Sequence, residues 1–285
     1  MERRKHGWRY MGRKVEVNDM NNAIDRWREG EKALDTERRL LNEALARFNK
    51  TEIKQGSARA VGRLIFGLDL TASREHSLQR ARVATAAMFG TVKAIGAIAV
   101  KLIYYRGSNE CRESAWHDDP AVLSEEMQRL SCEAGETQIG RILLSALREK
   151  EKLAGVVFVG DHCEDDRGEL LQAAEMLGQK SIPLFIFHEC DDDDRRSLKA
   201  KPIFKSMAAA SGGEYVEFKP DSSAALHEML SNVAAFSAGG VEGVRQMPAL
   251  KTPEARQLQR RLLLGDGGAA KPTALIGFRK TPGRG

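Results

Sequence analysis

The stretch Arg63-Leu64-Ile65-Phe66-Gly67-Leu68-Asp69-Leu70-Thr71-Ala72-Ser73 decides the fold. Its first half is a continuous apolar run, too short for a helix, which reads as a strand buried on both faces and closed by a carboxylate. Ser73 stands where a helix N-cap would, and Leu78, Ala81, Thr85, Phe89 and Val92 follow at helical spacing. The same texture continues outward. Residues 97–106 predict a second strand, residues 110–117 a short third one, and residues 121–130 and 139–149 two helices. The run Gly155-Val156-Val157-Phe158-Val159-Gly160-Asp161 is another buried strand that ends in a carboxylate. A helix over 168–177 follows, then a strand over 182–188, with Pro183 tolerable at its start. A helix around 204–210, a strand over 214–218 and a helix over 224–236 complete the series. Strands alternating with helices of this length make βαβ units. The fold class is therefore α/β: a Rossmann-like, doubly wound, mostly parallel sheet with helices on both faces.

Flanking this body are two arms of different composition. Of the 285 residues, 42% are hydrophobic and 30% charged, enough apolar material for a packed core, which excludes a disordered chain or a fibre. The net charge of +5 divides into +6 over residues 1–63, −7 over 64–238 and +6 over 239–285. A sequence pI near 9.0 invites a nucleic-acid reading, but an acidic body repels phosphate, so that reading is confined to the arms. Residues 18–50 carry a helical apolar stripe of Ile24, Trp27, Leu34, Leu41, Leu45 and Phe48. Glu31 and Arg38 occupy companion seam positions, which favours a helix packed along the domain or frayed in solution over an oligomerising coiled coil. The expected division is a basic helical arm over 1–60, the α/β domain over 61–240, and a mobile basic tail over 241–285 with one short helix at 254–264. No apolar run approaches a membrane span, and the basic opening residues precede no hydrophobic stretch. Cys111, Cys132, Cys163 and Cys190 form no CxxC pair, so reduced thiols and a cytoplasmic location are expected.

An open α/β sheet binds ligands beyond the carboxyl ends of its strands. Three features fall there: Asp69-Leu70-Thr71-Ala72-Ser73, the glycine-flanked Thr137, and Asp161. All present oxygen, the donor that a hard divalent cation prefers. Here the sequence resembles the von Willebrand factor type A (VWA) family. Asp69, Thr71 and Ser73 match its D-x-S-x-S motif, with Thr71 in a place usually held by serine. Thr137 matches the threonine of the following loop, and Asp161 the aspartate closing the fourth strand. The resemblance spans about residues 61–240 and includes the phrase Ala209-Ala210-Ser211-Gly212-Gly213-Glu214-Tyr215 before the last strand. Gly160 and His162 depart from the Thr-Asp-Gly that many relatives have around this aspartate.

The resemblance implies a metal-ion-dependent adhesion site holding Mg2+ or Mn2+ through Asp69, Thr71, Ser73, Thr137 and Asp161. It also implies binding rather than catalysis: an adaptor or scaffold that captures an Asp or Glu of a partner protein, in some relatives beside an AAA+ ATPase or a chaperone. The alternatives are a magnesium-dependent phosphohydrolase using Asp69 and Asp161, with His162 as its one obvious base, or a nucleic-acid-associated adaptor working through the basic arms. His162, Cys163, His188 and Cys190 could in principle make a zinc site, but their spacing is unfamiliar and surface histidines and thiols are the expectation. Asp191 to Asp194 lack the Gly and terminal Glu of an EF-hand and read as a solvated loop. No Walker A, GxGxxG or GxSxG sequence is present.

Overall fold

The computed structural model describes residues 61–92, 95–219 and 222–264. Strand β1 (Gly62–Asp69) lies at the centre of a six-stranded sheet with β2 (Ile98–Arg106), β3 (Glu110–His117), β4 (Gly155–Gly160), β5 (Leu184–Glu189) and β6 (Tyr215–Phe218). The strand order is β3-β2-β1-β4-β5-β6, with β3 antiparallel to β2 and every other pair parallel. The helices are α1 (Glu75–Val92), α2 (Pro120–Gln128), α3 (Ile139–Arg148), α4 (Arg167–Gln179), α5 (Arg195–Ser211), α6 (Ser223–Arg245) and α7 (Pro253–Leu264).

Strand side chains alternate between faces, and both faces of the central strands β1, β4 and β5 are covered, which is why those strands are nearly all apolar, whereas the edge strand β3 is polar. Leu64, Phe66 and Leu68 of β1 join Val157 and Val159 of β4 in one core, roofed by α1, α2, α6 and α7. Ile65 joins Val156, Phe158 and Ile186 in the other, roofed by α3, α4 and α5. Gly67 lets α3 approach, since a Cβ there would stand 3.0 Å from Ile142 Cγ2. At the carboxyl end, a Cβ on Gly135 would fall 2.0 Å from the carbonyl oxygen of Gly107, itself at φ +56°. Two glycines thus bring the loop that carries Thr137 against the β2–β3 turn.

Three expectations change. Ser73 lies inside a short 3-10 turn (Ala72–Arg74), and Thr71, with extended backbone, takes the N-cap position instead. Helix α5 begins at Arg195 rather than near 204, because Asp194 caps it by accepting the backbone N–H of Arg196 at 2.9 Å. The boundary expected at 240 falls inside α6, whose backbone kinks at Gly240 (φ 61°, ψ −148°). Beyond it the chain remains packed: Ala255, Leu258 and Leu262 of α7 are buried in the core with α6. The folded body therefore continues to Leu264. The arm over 1–60, with its apolar stripe, and residues 265–285 lie outside the described residues. Among the described residues, no helix is long and apolar enough to cross a membrane, and all four cysteines are free thiols.

Candidate metal centre

In the order 3-2-1-4-5-6 the winding direction reverses between β1 and β4, which opens a crevice beyond their carboxyl ends. Asp69 ends β1 and Asp161 follows the last residue of β4, so the two carboxylates flank that crevice. Asp69 is buried. Its Oδ1 accepts the backbone N–H of Thr71 at 2.8 Å, and its Oδ2 has no hydrogen-bond partner. Asp161 Oδ1 is likewise buried without a hydrogen bond, and His162 Nδ1 stands 3.7 Å away. Burial, and then the charge of Asp161, push the Asp69 carboxyl up to about 6, against the opposing pull of the Thr71 N–H and of Arg74.

The hydroxyls of Thr71 and Ser73 lie 3.2 Å apart, Thr71 buried and Ser73 exposed. Thr137 is held differently. Its hydroxyl donates to Asp165 Oδ2 at 2.7 Å and accepts the backbone N–H of Glu164 at 2.7 Å, while its own N–H donates to Glu164 Oε2 at 3.1 Å. Asp165 Oδ1 also accepts the N–H of Gly140 in the first turn of α3. A hydroxyl has two lone pairs, so Thr137 retains one acceptor position after binding Glu164. The structure therefore gathers Asp69, Thr71, Ser73 and Asp161 at one crevice, whereas the hydrogen bonds of Thr137 run to the segment just beyond Asp161.

Several residues here escaped the sequence reading. Tyr105 on β2 is paired in register with Asp69 and fully buried, and its hydroxyl closes no hydrogen bond. Burial raises its phenol well above the ordinary value, helped by the charges of Asp69 and Asp165, by the approach of its hydroxyl to the Asp69 carboxylate, and by the charge of Asp161. Beneath the crevice, buried Arg74 pairs with Glu189, whose other oxygen accepts the Ser77 hydroxyl; Arg80 stands 3.9 Å from the same carboxylate. Glu189 thereby claims the nearby guanidinium groups, and among the described residues neither Asp69 nor Asp161 has a Lys or Arg side chain in contact. Glu189 is the last residue of β5, one position beyond the strand expected over 182–188.

Of the histidines and thiols weighed for zinc, His162, His188 and Cys190 are buried and Cys163 is half-buried. His188 is fully buried: its Nε2–H donates to the Asp161 carbonyl at 3.0 Å, which leaves Nδ1 to accept from the Tyr215 hydroxyl at 2.8 Å. Burial lowers it to about 4, so it is neutral. His162 is buried against Asp194, and Cys190 is buried. Asp191 accepts the N–H of Asp193, and Asp192 pairs with Lys219, so the aspartate run is a structured loop. Among the described residues, no three His, Cys, Asp or Glu side chains gather around a point where a metal could sit. A cation at the crevice would depend on hydroxyl oxygens beside two carboxylates, and the orphaned Asp69 Oδ2 and Asp161 Oδ1 fit such an ion.

No family model and no curated protein matches the chain. Among solved structures, the D319A mutant of the PilB minor pilin from Streptococcus sanguinis aligns with a TM-score of 0.51 at 9% identity, over 75% of this chain and 64% of the pilin. The chain thus spans less than two thirds of that protein. The SpRpn10 VWA domain aligns with a TM-score of 0.44 at 15% identity, over 62% of this chain and 95% of that domain. The manganese-loaded TRAP protein of Plasmodium vivax gives 0.41 at 14% identity, over 61% and 75%. At these identities the likeness is one of fold alone, and it goes no further than the Rossmann-type α/β sheet that the strand order already shows.

Proposed function

We propose that this chain is a divalent-cation-dependent protein-binding domain, an adaptor or scaffold rather than an enzyme. In this reading Mg2+ or Mn2+ is held by Asp69, Thr71, Ser73, Thr137 and Asp161. The carrying observation is the pair of buried carboxylate oxygens, Asp69 Oδ2 and Asp161 Oδ1, left without partners at the switch point of the sheet. Unpaired buried charges are costly, and a cation offsets that cost. When bound, the ion supplies an electrophilic position for an Asp or Glu of a partner protein. The chain's own contribution is neutral hydroxyls, which leave the ion most of its charge, and Asp165, which accepts the Thr137 proton so that a lone pair of that oxygen stays available.

The surrounding loops shape the choice of partner. Glu133, Glu136, Glu164, Asp191, Asp192 and Asp193 are exposed around this end of the sheet. They repel a generally acidic surface, so the captured carboxylate comes from a segment with basic neighbours. An AAA+ ATPase or chaperone is a partner class the resemblance suggests. Hydrolysis is the weaker reading, because His162, its one candidate base, is buried and engaged by Asp194. Affinity capture with wild type and Asp69→Ala, each with magnesium and with a chelator, tests the proposal. Partners retained only by wild type with magnesium support it; identical partner sets in all four samples contradict it.

A further inference from the structure

At the opposite end of the sheet from Asp69, the amino ends of β1, β4 and β5 and the kinked part of α6 enclose a groove of about 690 Å³. Its lining is largely apolar and includes Leu153, Pro183, Phe236 and Ala238, with Lys152 and the ion pair of Arg63 and Glu151 beside them. Val61, the first residue of the described body, lines this groove and is 43% exposed. Consecutive Cα atoms are ~3.8 Å apart, so the preceding chain begins at the groove's own mouth. That chain is sixty residues long and carries the stripe Ile24, Trp27, Leu34, Leu41, Leu45 and Phe48.

We infer that the groove is the seat of this chain's own N-terminal segment, residues 18–50, with the Leu45 and Phe48 end of the stripe inserted over Phe236. Three arguments fix this occupant. An amphipathic stripe needs an apolar surface to cover it, and Glu31 and Arg38 at companion positions spoil self-association through a coiled coil. The connector over 51–60 reaches at most about 35 Å, so it can turn back from Val61 but cannot carry Phe48 far from the groove. Tethering at that length holds the segment at an effective concentration of order millimolar, which a separate copy in dilute solution does not match. This seat is at the far end of the sheet from the carboxylates, so it stands independently of metal binding. It leaves the basic residues before position 18 projecting from the anchored segment.

The test places a photo-crosslinking p-benzoylphenylalanine at Lys152, an exposed residue lining the groove, in the full chain, with the same probe at Asp193 as the control on the opposite end. The expected result is a crosslink from position 152 to peptides of residues 18–50 within the monomer band, unchanged on tenfold dilution, absent from position 193, and lost in Leu45→Asp/Phe48→Asp. A crosslink confined to dimers that disappears on dilution assigns the groove to a second copy and overturns the inference. So does the absence of crosslinks to residues 18–50, or equal yields from positions 152 and 193.

Discussion

Asp69 carries a raised pKa of about 6 because its ionised form is buried, faces Asp161 and has only one of its oxygens hydrogen-bonded. Between pH ~4 and 6 the native state binds a proton that the unfolded chain has released, so this group's contribution to stability falls as pH rises through that window. Asp69→Asn keeps the acceptor for the Thr71 N–H and removes the charge. In chelator above pH 7 it should raise stability by about 2 kcal/mol, and the gain should vanish near pH 4, as urea titrations at the two pH values would show. The same substitution should abolish the stabilisation given by magnesium. Thr71 provides a second check. Thr71→Ser preserves an oxygen and should bind the cation like wild type, whereas Thr71→Val should weaken binding roughly tenfold or more, read by calorimetry. At this scale Asp69, Thr71 and Asp161 were legible because each follows a buried run at a strand's carboxyl end. Tyr105, Arg74 and Glu189 were not, since their significance lies in which strands are neighbours, and single-sequence periodicity carries no strand order.

The elements were legible wherever an apolar period was strong. All six strands appear near their expected positions; β1, β4 and β5 were plainest, because a sheet covered on both faces demands apolar side chains there, whereas β3 is polar and only partly buried. Helix α5 was foreshortened because its first turns are charged and Pro202 interrupts the pattern; its start is set by the Asp194 cap. Helix α7 was read as a short helix in a mobile tail, because a Gly-, Pro- and arginine-rich composition hides the three side chains that matter. Ala255, Leu258 and Leu262 are buried, and Glu228 of α6 secures the entry to the helix by accepting the N–H groups of Lys251 and Thr252. Leu258→Ala should therefore cost about 2–4 kcal/mol in urea denaturation of the full chain, a loss inconsistent with a mobile tail. A cost under about 0.5 kcal/mol would show that α7 adds little to the core.

Across the whole molecule, charge and topology are arranged along the sheet axis. Exposed carboxylates lie around the end bearing Asp69 and Asp161, and the other end holds the apolar groove lined by Val61, where the described body begins. A basic partner segment should associate faster at low salt, with the dependence flattening beyond ~0.15 M as these carboxylates are screened, which stopped-flow binding of a labelled captured partner would resolve. The acidic body between basic arms was legible in the sequence; that its acidic loops surround the crevice was not, because loops are brought together only by the strand order. At the centre of the proposed function are two buried carboxylate oxygens, Asp69 Oδ2 and Asp161 Oδ1, that a divalent cation would satisfy. Isothermal titration of Mg2+ and of Mn2+ into the chelator-treated full chain at pH 7.5, beside Asp69→Asn and Thr71→Val, tests it most directly. The account predicts one saturable site per chain in wild type, absent in Asp69→Asn and weakened in Thr71→Val. No heat at millimolar metal, or equal binding by all three proteins, would contradict it.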